Sequence, residues 1–273
     1  MTDWQASGVI TVTTDFGHKG PFAAVMTGVI VKRFPQARVI DLAHDIPAHW
    51  PPEAGFWLSR SFSYFPTGTV HVAIVDPGVG TEREILLALK DGHLFMAPDN
   101  GLLAPILEVA DKVYKLNHDA LTVIGAGVPS LTFHGRDIFA PIAAELAAGR
   151  IGIDDISIET REWTPGWLED PECSNGRVSG IVVTVDAFGN LISNIDASLI
   201  DGIKSPLVHI AGHHIEMKHT YGRVKPGEYL ALINSFGVIE IARSEESAAD
   251  GLGCERGAPV VVSDAGKDQA TSL

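Results

Sequence analysis

The sequence predicts two domains, an α/β N-terminal domain built on a mostly parallel sheet flanked by helices and a small all-β C-terminal domain of barrel or sandwich type. Three observations carry this. Strand-like and helix-like segments alternate through the first half of the chain. The pattern dissolves between about Ile153 and Gly176. Beyond Arg177 only strand-like runs separated by Gly, Asn and Pro turns remain.

In chain order, Val9–Thr13 is a short β-branched run that stops at the turn Thr14-Asp15-Phe16-Gly17. Phe22–Phe34 repeats its apolar residues at helical spacing, and Pro35 ends that helix. Arg38–Leu42 reads as a second strand, Pro52–Phe65 as a second helix, and Val70–Val75 as a buried strand running into Asp76-Pro77-Gly78-Val79-Gly80. Ile85–Leu89 and His93–Ala97 pair as a hairpin about Asp91-Gly92. Ile138–Ala148 is an Ala-rich helix closed by Gly149. In the C-terminal domain the expected strands are Val178–Val185, Leu207–Ile210, Tyr229–Ile233, Val238–Ala242 and Pro259–Ser263. The domain limits are placed at 1–165 and 177–273, with residues 166–176 as linker. The tail after Asp264 is polar and reads as frayed.

Composition narrows function. The 273 residues carry 20 Lys+Arg against 34 Asp+Glu, a net charge of −14. That balance disfavours a nucleic-acid binder, whose affinity rests on cationic side chains displacing counterions. The longest stretch without Asp, Glu, Lys or Arg is Ala120–Gly135, broken by Gly and Pro and shorter than the roughly 18 apolar residues of a membrane span. Met1-Thr2-Asp3-Trp4-Gln5 has no basic n-region, so a cytoplasmic location is expected. Cys173 and Cys254 are the two cysteines and form no Cys-x-x-Cys; they fit a reducing compartment, with a single disulfide between them as the lesser alternative.

The chemistry-bearing residues gather at strand ends. Asp15 and Asp76 each follow a strand and Asp41 to Asp45 mark the end of another, and in open α/β sheets such carboxyl ends converge on one rim. Asp41 and Asp45 read first as caps or turn residues, Asp15 and Asp76 as site candidates. Arg83 follows Asp76 by seven residues, a guanidinium within reach of that carboxylate. Thr132-Phe133-His134-Gly135-Arg136-Asp137 puts an imidazole in a loop at a helix start, the side chain best suited to proton transfer near neutral pH. A helix-entry hydrogen bond explains His134 equally well, and Arg136 with Asp137 reads as a plain charge pair.

Six segments in order make a resemblance specific: Thr14-Asp15-Phe16-Gly17, His44-Asp45-Ile46-Pro47, Val75-Asp76-Pro77-Gly78-Val79-Gly80, Ala97-Pro98-Asp99-Asn100-Gly101, Phe133-His134-Gly135-Arg136-Asp137 and Asp186-Ala187-Phe188-Gly189-Asn190. Together, over about residues 8 to 245, the chain resembles the S-adenosyl-L-methionine (SAM) hydrolases, the SAM hydroxide adenosyltransferases related to the fluorinating and chlorinating enzymes. The resemblance implies an α/β domain followed by a β domain. It also implies a homotrimer that binds its ligand where one subunit's N-terminal domain meets a neighbour's C-terminal domain.

By the same resemblance Asp76, Arg83 and His134 match the set that positions and activates water. Asp15 matches the carboxylate that holds the ribose hydroxyls, Trp50 an aromatic against the nucleoside, and Phe133 belongs with this substrate-binding group. Asp186, Phe188, Asn190 and Ser235 match segments that hold the methionine end and cover the adenine; Arg243 lies in the adenine-side segment. Halogenating relatives replace the Asp76 position with an aromatic or small residue, so Asp76 with Val79 points to hydrolysis. Gly20 and Phe236 depart from the pattern, putting a ribose-side and a carboxylate contact in doubt. The implied reaction gives adenosine and L-methionine, with SAM as substrate and with neither metal nor cofactor.

Two rivals are carried forward. A metal-dependent hydrolase would draw on Asp15, His44, Asp45, Asp76 and His134, although no ligand spacing such as His-x-x-x-His supports it. His213-His214 with His219 reads as surface. A non-catalytic SAM or adenosine sensor would use the same pocket. No phosphate-cradling glycine loop is complete, which discounts an NAD or ATP enzyme.

Overall fold

The computed structural model describes residues 4–268. Met1, Thr2 and Asp3 of the N-terminal segment, and residues 269–273 of the polar tail, lie outside the described residues; the start of that tail, Ala265–Asp268, is a short helix where fraying was expected. The chain divides into two compact units, Met1–Leu168 and Glu169–Leu273.

The first unit runs β1 (Val9–Thr14), α1 (Phe22–Arg33), β2 (Arg38–Ala43), α2 (Pro51–Ser61), β3 (Val70–Ile74), β4 (Ile85–Lys90), β5 (His93–Pro98), α3 (Ala104–Leu107), β6 (Lys112–Leu116), α4 (Ala120–Val123), α5 (Ala140–Ala147), α6 (Ile153–Ile156) and β7 (Ser157–Glu159). Its seven strands form one sheet in the order β2-β1-β3-β5-β4-β6-β7. The sheet is mixed, which corrects the expectation of a mostly parallel one: β2, β1, β3 and β5 are parallel, while β4, β6 and β7 pair antiparallel. The turn Asp91-Gly92 causes the first of these reversals, between β4 and β5. Both residues take positive φ, 50° and 76°, the conformation that folds a strand back on its neighbour within two residues. A parallel return would need a crossover of a dozen residues or more.

Alternation along the strands divides the core. Val70, Val72 and Ile74 of β3 join β1, α1 and α5 on one face, whereas Ala73 and Val75 join α2 and α3 on the other. Gly55 of α2 is needed for that second layer, because a Cβ there would stand 2.0 Å from the carbonyl oxygen of Leu102. Beneath α2 lies a buried polar relay: Thr11 Oγ1 meets His71 Nδ1 at 2.8 Å and His71 Nε2 meets His93 Nδ1 at 3.1 Å. Phe95 stacks on His71, and Phe62 packs edge-on to both imidazoles. Burial, reinforced by His93, holds His71 down at about 3.

The Ile138–Ala148 segment differs from the single helix expected. Gly135–Phe139 forms a π-helical turn and α5 starts only at Ala140. Pro141 has no N–H to donate to the residue 137 carbonyl, so the ordinary ladder cannot run through this point. The stretch read as patternless also contains structure: α6 and β7 complete the first unit, with β7 pairing β6.

The second unit holds β8 (Glu172–Ser174), β9 (Arg177–Val185), β10 (Leu191–Asp196), β11 (Pro206–Ile210), β12 (His213–Glu216), β13 (Tyr229–Ile233), β14 (Val238–Arg243), α7 (Ala248–Leu252) and β15 (Pro259–Asp264). The strands follow the order β12-β11-β15-β9-β10-β14-β13, with β8 added to β9, and all these pairings are antiparallel. A bridge between Met217 and Ala231 brings the two ends of the sheet together, so it is nearly a barrel. Its interior is Val178, Val182, Leu191, Ile195, Val208, Ile239, Ile241 and Val260. β10 escapes notice in the sequence because Ser193 and Asn194 interrupt its apolar pattern; Ser193 is buried with its hydroxyl donating to Ile239 O at 2.7 Å. Both cysteines are free thiols, so the alternative of a disulfide is not realised.

Candidate active site

Strands β1 and β3 run parallel as neighbours, so Asp15 and Asp76 emerge on the same rim. Each exit is fixed locally. Thr14 Oγ1 bonds His44 Nδ1 at 2.8 Å and accepts from Phe16 N at 3.2 Å. Asn100 Nδ2 donates to Val75 O at 2.8 Å, directly before Asp76. The turn after Asp76 is closed by Val79 N to Asp76 O and Thr81 N to Gly78 O, which returns Arg83 to the carboxylate. Gly80 sits at φ 81°, and a Cβ there would lie 2.2 Å from Leu131 O. That glycine lets the turn lie against the loop that leads to His134.

Arg83 pairs with Asp76 in a bidentate fashion: Nε donates to Oδ1 at 3.1 Å and to Oδ2 at 3.0 Å, and Nη2 donates to Oδ2 as well. The pair is largely withdrawn from water, with side-chain exposures of 11% and 5%. The same Nη2 lies 3.0 Å from His134 Nδ1. A guanidinium only donates, so Nδ1 accepts and the neutral imidazole carries its hydrogen on Nε2. Burial first, and the Arg83 charge second, hold His134 below its ordinary value of 6.5, with Asp76 and Asp137 partly opposing. His134 is therefore neutral near pH 7.

A cavity of about 250 Å³ opens beside this group, lined by Asp15, Phe16, Phe22, His49, Asp76, Val79, Phe133 and His134 among others. Phe16, Phe22 and Phe133 meet edge to face at 5.5 to 6.1 Å and form an aromatic wall. Asp15 Oδ2 accepts from His49 N at 3.1 Å, leaving Oδ1 for a ligand. Arg136 and Asp137 behave as the charge pair expected: Asp137 takes two hydrogen bonds from Arg136 and one from Ser130 N. They tie the loop before His134 to the helix start.

The remaining candidates are distributed differently. Trp50 does not line the cavity; its ring packs edge-on to Trp167 at 5.8 Å. In the second unit Asp186 accepts from Phe188 N, Asn190 N and Asn190 Nδ2, each at 2.9 Å, and so folds its own loop. Phe188 projects from that loop, 80% exposed. Ser235 is exposed in the turn between β13 and β14. Arg243 is engaged internally, pairing with Glu246 at 2.6 Å, donating from Nε to Gly227 O and lying over the Tyr229 ring.

Sequence reasoning missed His49 and Phe22, which line the cavity. Phe22, read only as the start of a helix, follows the Asp15 turn closely, a proximity that was legible. His49 was not: it contributes through its backbone at φ 61°. In the second unit, outside this cavity, Glu240 lies in an apolar run, is 3% exposed, accepts from Tyr221 OH at 2.6 Å and is raised above its ordinary value, chiefly by burial.

Asp15, His44, Asp45, Asp76 and His134 are not gathered as ligands, and among the described residues no group of three or more His, Cys, Asp or Glu side chains is arranged to hold a metal ion. No helix among them is long and apolar enough to cross a membrane.

Fold and site thus define a two-unit protein, an α/β unit carrying an ion-paired carboxylate and a neutral imidazole beside an aromatic-walled cavity, followed by a nearly closed β unit. The chain belongs to the SAM hydroxide adenosyltransferase family: the model of that family's N-terminal domain matches residues 10–157 and that of its C-terminal domain residues 180–261. It is similar to the (R)-S-adenosyl-L-methionine hydrolase of Thermus thermophilus, 35% identical and covering 90% of this chain and 96% of that one. The protein of the same name from Salinispora tropica is 39% identical, covering 91% and 95%. A crystal structure of an uncharacterized conserved protein from Thermotoga maritima superposes with a TM-score of 0.86 at 30% identity, covering 93% of this chain and 99% of that one.

Proposed function

We propose that this protein hydrolyses S-adenosyl-L-methionine by attack of water on C5′ of the ribose, giving adenosine and L-methionine. The relatives' names specify the (R) configuration at sulfur, and we carry that preference to this chain. The observation that supports the reading best is the Asp76–Arg83–His134 assembly in the wall of the cavity that Asp15 also lines.

The chemistry sets modest demands on the leaving group. A sulfonium departs as a neutral thioether, so no general acid is needed. Water is the weak partner and must be aimed in line with the C5′–S bond and relieved of a proton. Either Asp76 or His134 is a sensible acceptor by residue type. The hydrogen-bond pattern favours Asp76, because His134 Nδ1 is engaged by Arg83 and Nε2 bears hydrogen. Arg83 fixes the carboxylate, and His134 orients the water by donation from Nε2. Asp15 holds the ribose hydroxyls, with Phe133 and the neighbouring rings against the nucleoside.

The cavity lies just below the usual range of ligand sites, roughly 300–1,000 Å³. It is sized for the nucleoside half of the substrate. In this proposal Trp50 stays on the nucleoside side, while Asp186, Phe188, Asn190, Ser235 and Arg243 serve the methionine and adenine ends from a neighbouring subunit of a homotrimer. No metal takes part. The test is chromatography of (R)- and (S)-S-adenosyl-L-methionine incubated with pure protein, with light scattering for the assembly. Adenosine and methionine in equal amounts are expected; stoichiometric binding without adenosine would replace the enzyme with a sensor.

A further inference from the structure

The hydrolytic reading leaves one requirement unmet by the Asp15 cavity. For each turnover the C5′–S bond breaks with its electron pair going to sulfur, a C5′–O bond forms, one water is consumed and one proton is released. With a nucleoside filling the cavity, the substrate itself covers Asp76. Water and proton then need another way in and out.

A second, larger cavity of about 610 Å³ takes Arg83 and His134 into its wall. Asp76 lines the first cavity, Arg83 the second, and His134 both. The three side chains, joined at 2.5 to 3.1 Å, are thus the partition between the two spaces. The second is polar where it meets Arg83, with Glu82, Glu84, Asn117 and His118 in its wall. Glu82, Glu84, Asn117 and His118 give this side of the wall enough polar partners to hold water. Its floor is apolar, with Ala120, Leu121 and Ile138.

Resting on the hydrolytic reading, we infer that this second cavity is the solvent side of the active site. It is the reservoir that resupplies the nucleophile past His134 and receives the released proton, with Glu82, Glu84 and His118 as the groups that take the proton to bulk water. The arrangement separates traffic: the organic substrate uses the aromatic-walled cavity, and water with its proton uses the polar side of the second. The groups assigned here bind no part of the substrate, so their loss slows turnover and leaves affinity alone.

The experiment fills or neutralises the second cavity in the full chain. Leu121→Trp and, separately, Asn117→Trp narrow it, while the double change Glu84→Gln with His118→Asn removes two receiving groups. Circular dichroism and calorimetric adenosine affinity establish which variants are folded. In the narrowed variants kcat falls about tenfold with KM within about twofold of wild type. Rapid mixing with a pH indicator then shows proton release lagging behind adenosine formation. The double variant is slow in dilute buffer and recovers with added imidazole, a rescue that a merely structural defect does not show. Wild-type kcat in folded narrowed variants overturns the inference while leaving the hydrolytic reading intact. If neither tryptophan variant folds, a double variant indifferent to buffer overturns it equally. Absence of adenosine from the wild-type protein overturns the hydrolytic reading, and this inference with it.

Discussion

Arg83 is shared between two partners: it clasps Asp76 through Nε and Nη2 and at the same time donates from Nη2 to His134 Nδ1 at 3.0 Å. One guanidinium thereby fixes a carboxylate, a tautomer and a charge state. In the proposed reaction that arrangement leaves Asp76 to accept the proton and the Nε2 side of His134 to donate to the water.

Asp76→Ala is expected to lower turnover by at least ~10²-fold, the low end for loss of a general base. Substrate affinity is expected to be largely kept, because in the proposed mode of binding Asp15, not Asp76, holds the ribose. Steady-state kinetics with adenosine quantified by chromatography measures both. Turnover like wild type would remove Asp76 from the chemistry.

Arg83→Gln tests the electrostatic coupling. His134 lies below its ordinary 6.5 through burial and then through the Arg83 charge, with Asp76 acting in the opposite sense. Removing the guanidinium takes away a lowering influence and leaves a raising one, so the His134 value climbs. The acid limb of the kcat/KM profile, set by the neutral imidazole, moves to higher pH in the variant, alongside a lower plateau. An acid limb unmoved between the two proteins would contradict the coupling.

The buried His71–His93 pair predicts acid sensitivity of the fold itself. His71 is held at about 3, far below its ordinary 6.5, so between those values the unfolded chain binds a proton that the folded one does not. Stability is full above about pH 6.5 and falls as the pH drops toward 3, by up to about 1.4 kcal/mol per pH unit for this group. Urea unfolding at pH 7.5, 6.0 and 5.0 should show a falling midpoint. The drop is shallower in a His71→Phe variant that still folds; an equal drop would assign the effect elsewhere.

Gly80→Ala places a Cβ against Leu131 O, 2.2 Å away, at φ 81°. Either the turn or the loop that carries Phe133 and His134 must shift. The expected result is a stability loss of about 1–3 kcal/mol with a larger proportional loss of kcat than of KM, read by thermal unfolding and steady-state kinetics. Gly125→Ala is the control, at similar φ with nothing within 4 Å of the added atom.

Prolonged treatment with a chelator followed by gel filtration is expected to leave turnover within about twofold, since among the described residues no three of the candidate donors are arranged to hold a metal ion. Activity lost to chelation and regained with one divalent metal would restore the metal-dependent reading.

Much of the N-terminal architecture was legible because local signals agreed there. Val9–Thr13 and Val70–Val75 are β-branched runs ending in aspartates, and parallel strands carry such ends to one rim. Asp91-Gly92 announced its hairpin, yet the consequence for strand direction across the whole sheet was not visible from two residues. The π-helical turn hinged on Pro141, whose missing donor acts on a carbonyl four residues upstream. β10 was hidden because Ser193 satisfies its hydroxyl across the sheet on Ile239, a partner 46 positions away. The site shows the same division. Asp15, Asp76 and His134 stood out by type and position, whereas His49 bonds Asp15 through a backbone N–H, a property that only the folded chain possesses. Trp50 packs edge-on to Trp167, a contact that no local pattern announces.

The bridge from Met217 to Ala231 bears on how this protein behaves at high concentration. A sheet that ends in open strands exposes rows of unpaired N–H and C=O groups, on which another chain can add as one more strand. Here β12 and β13, the two terminal strands, are drawn toward each other, and Lys218 N already donates to Ala231 O at 2.8 Å. The appended β8 spans Glu172–Ser174, three residues, too short to template a neighbour. The second unit is thereby protected against fibril-like self-addition by the path of its own backbone.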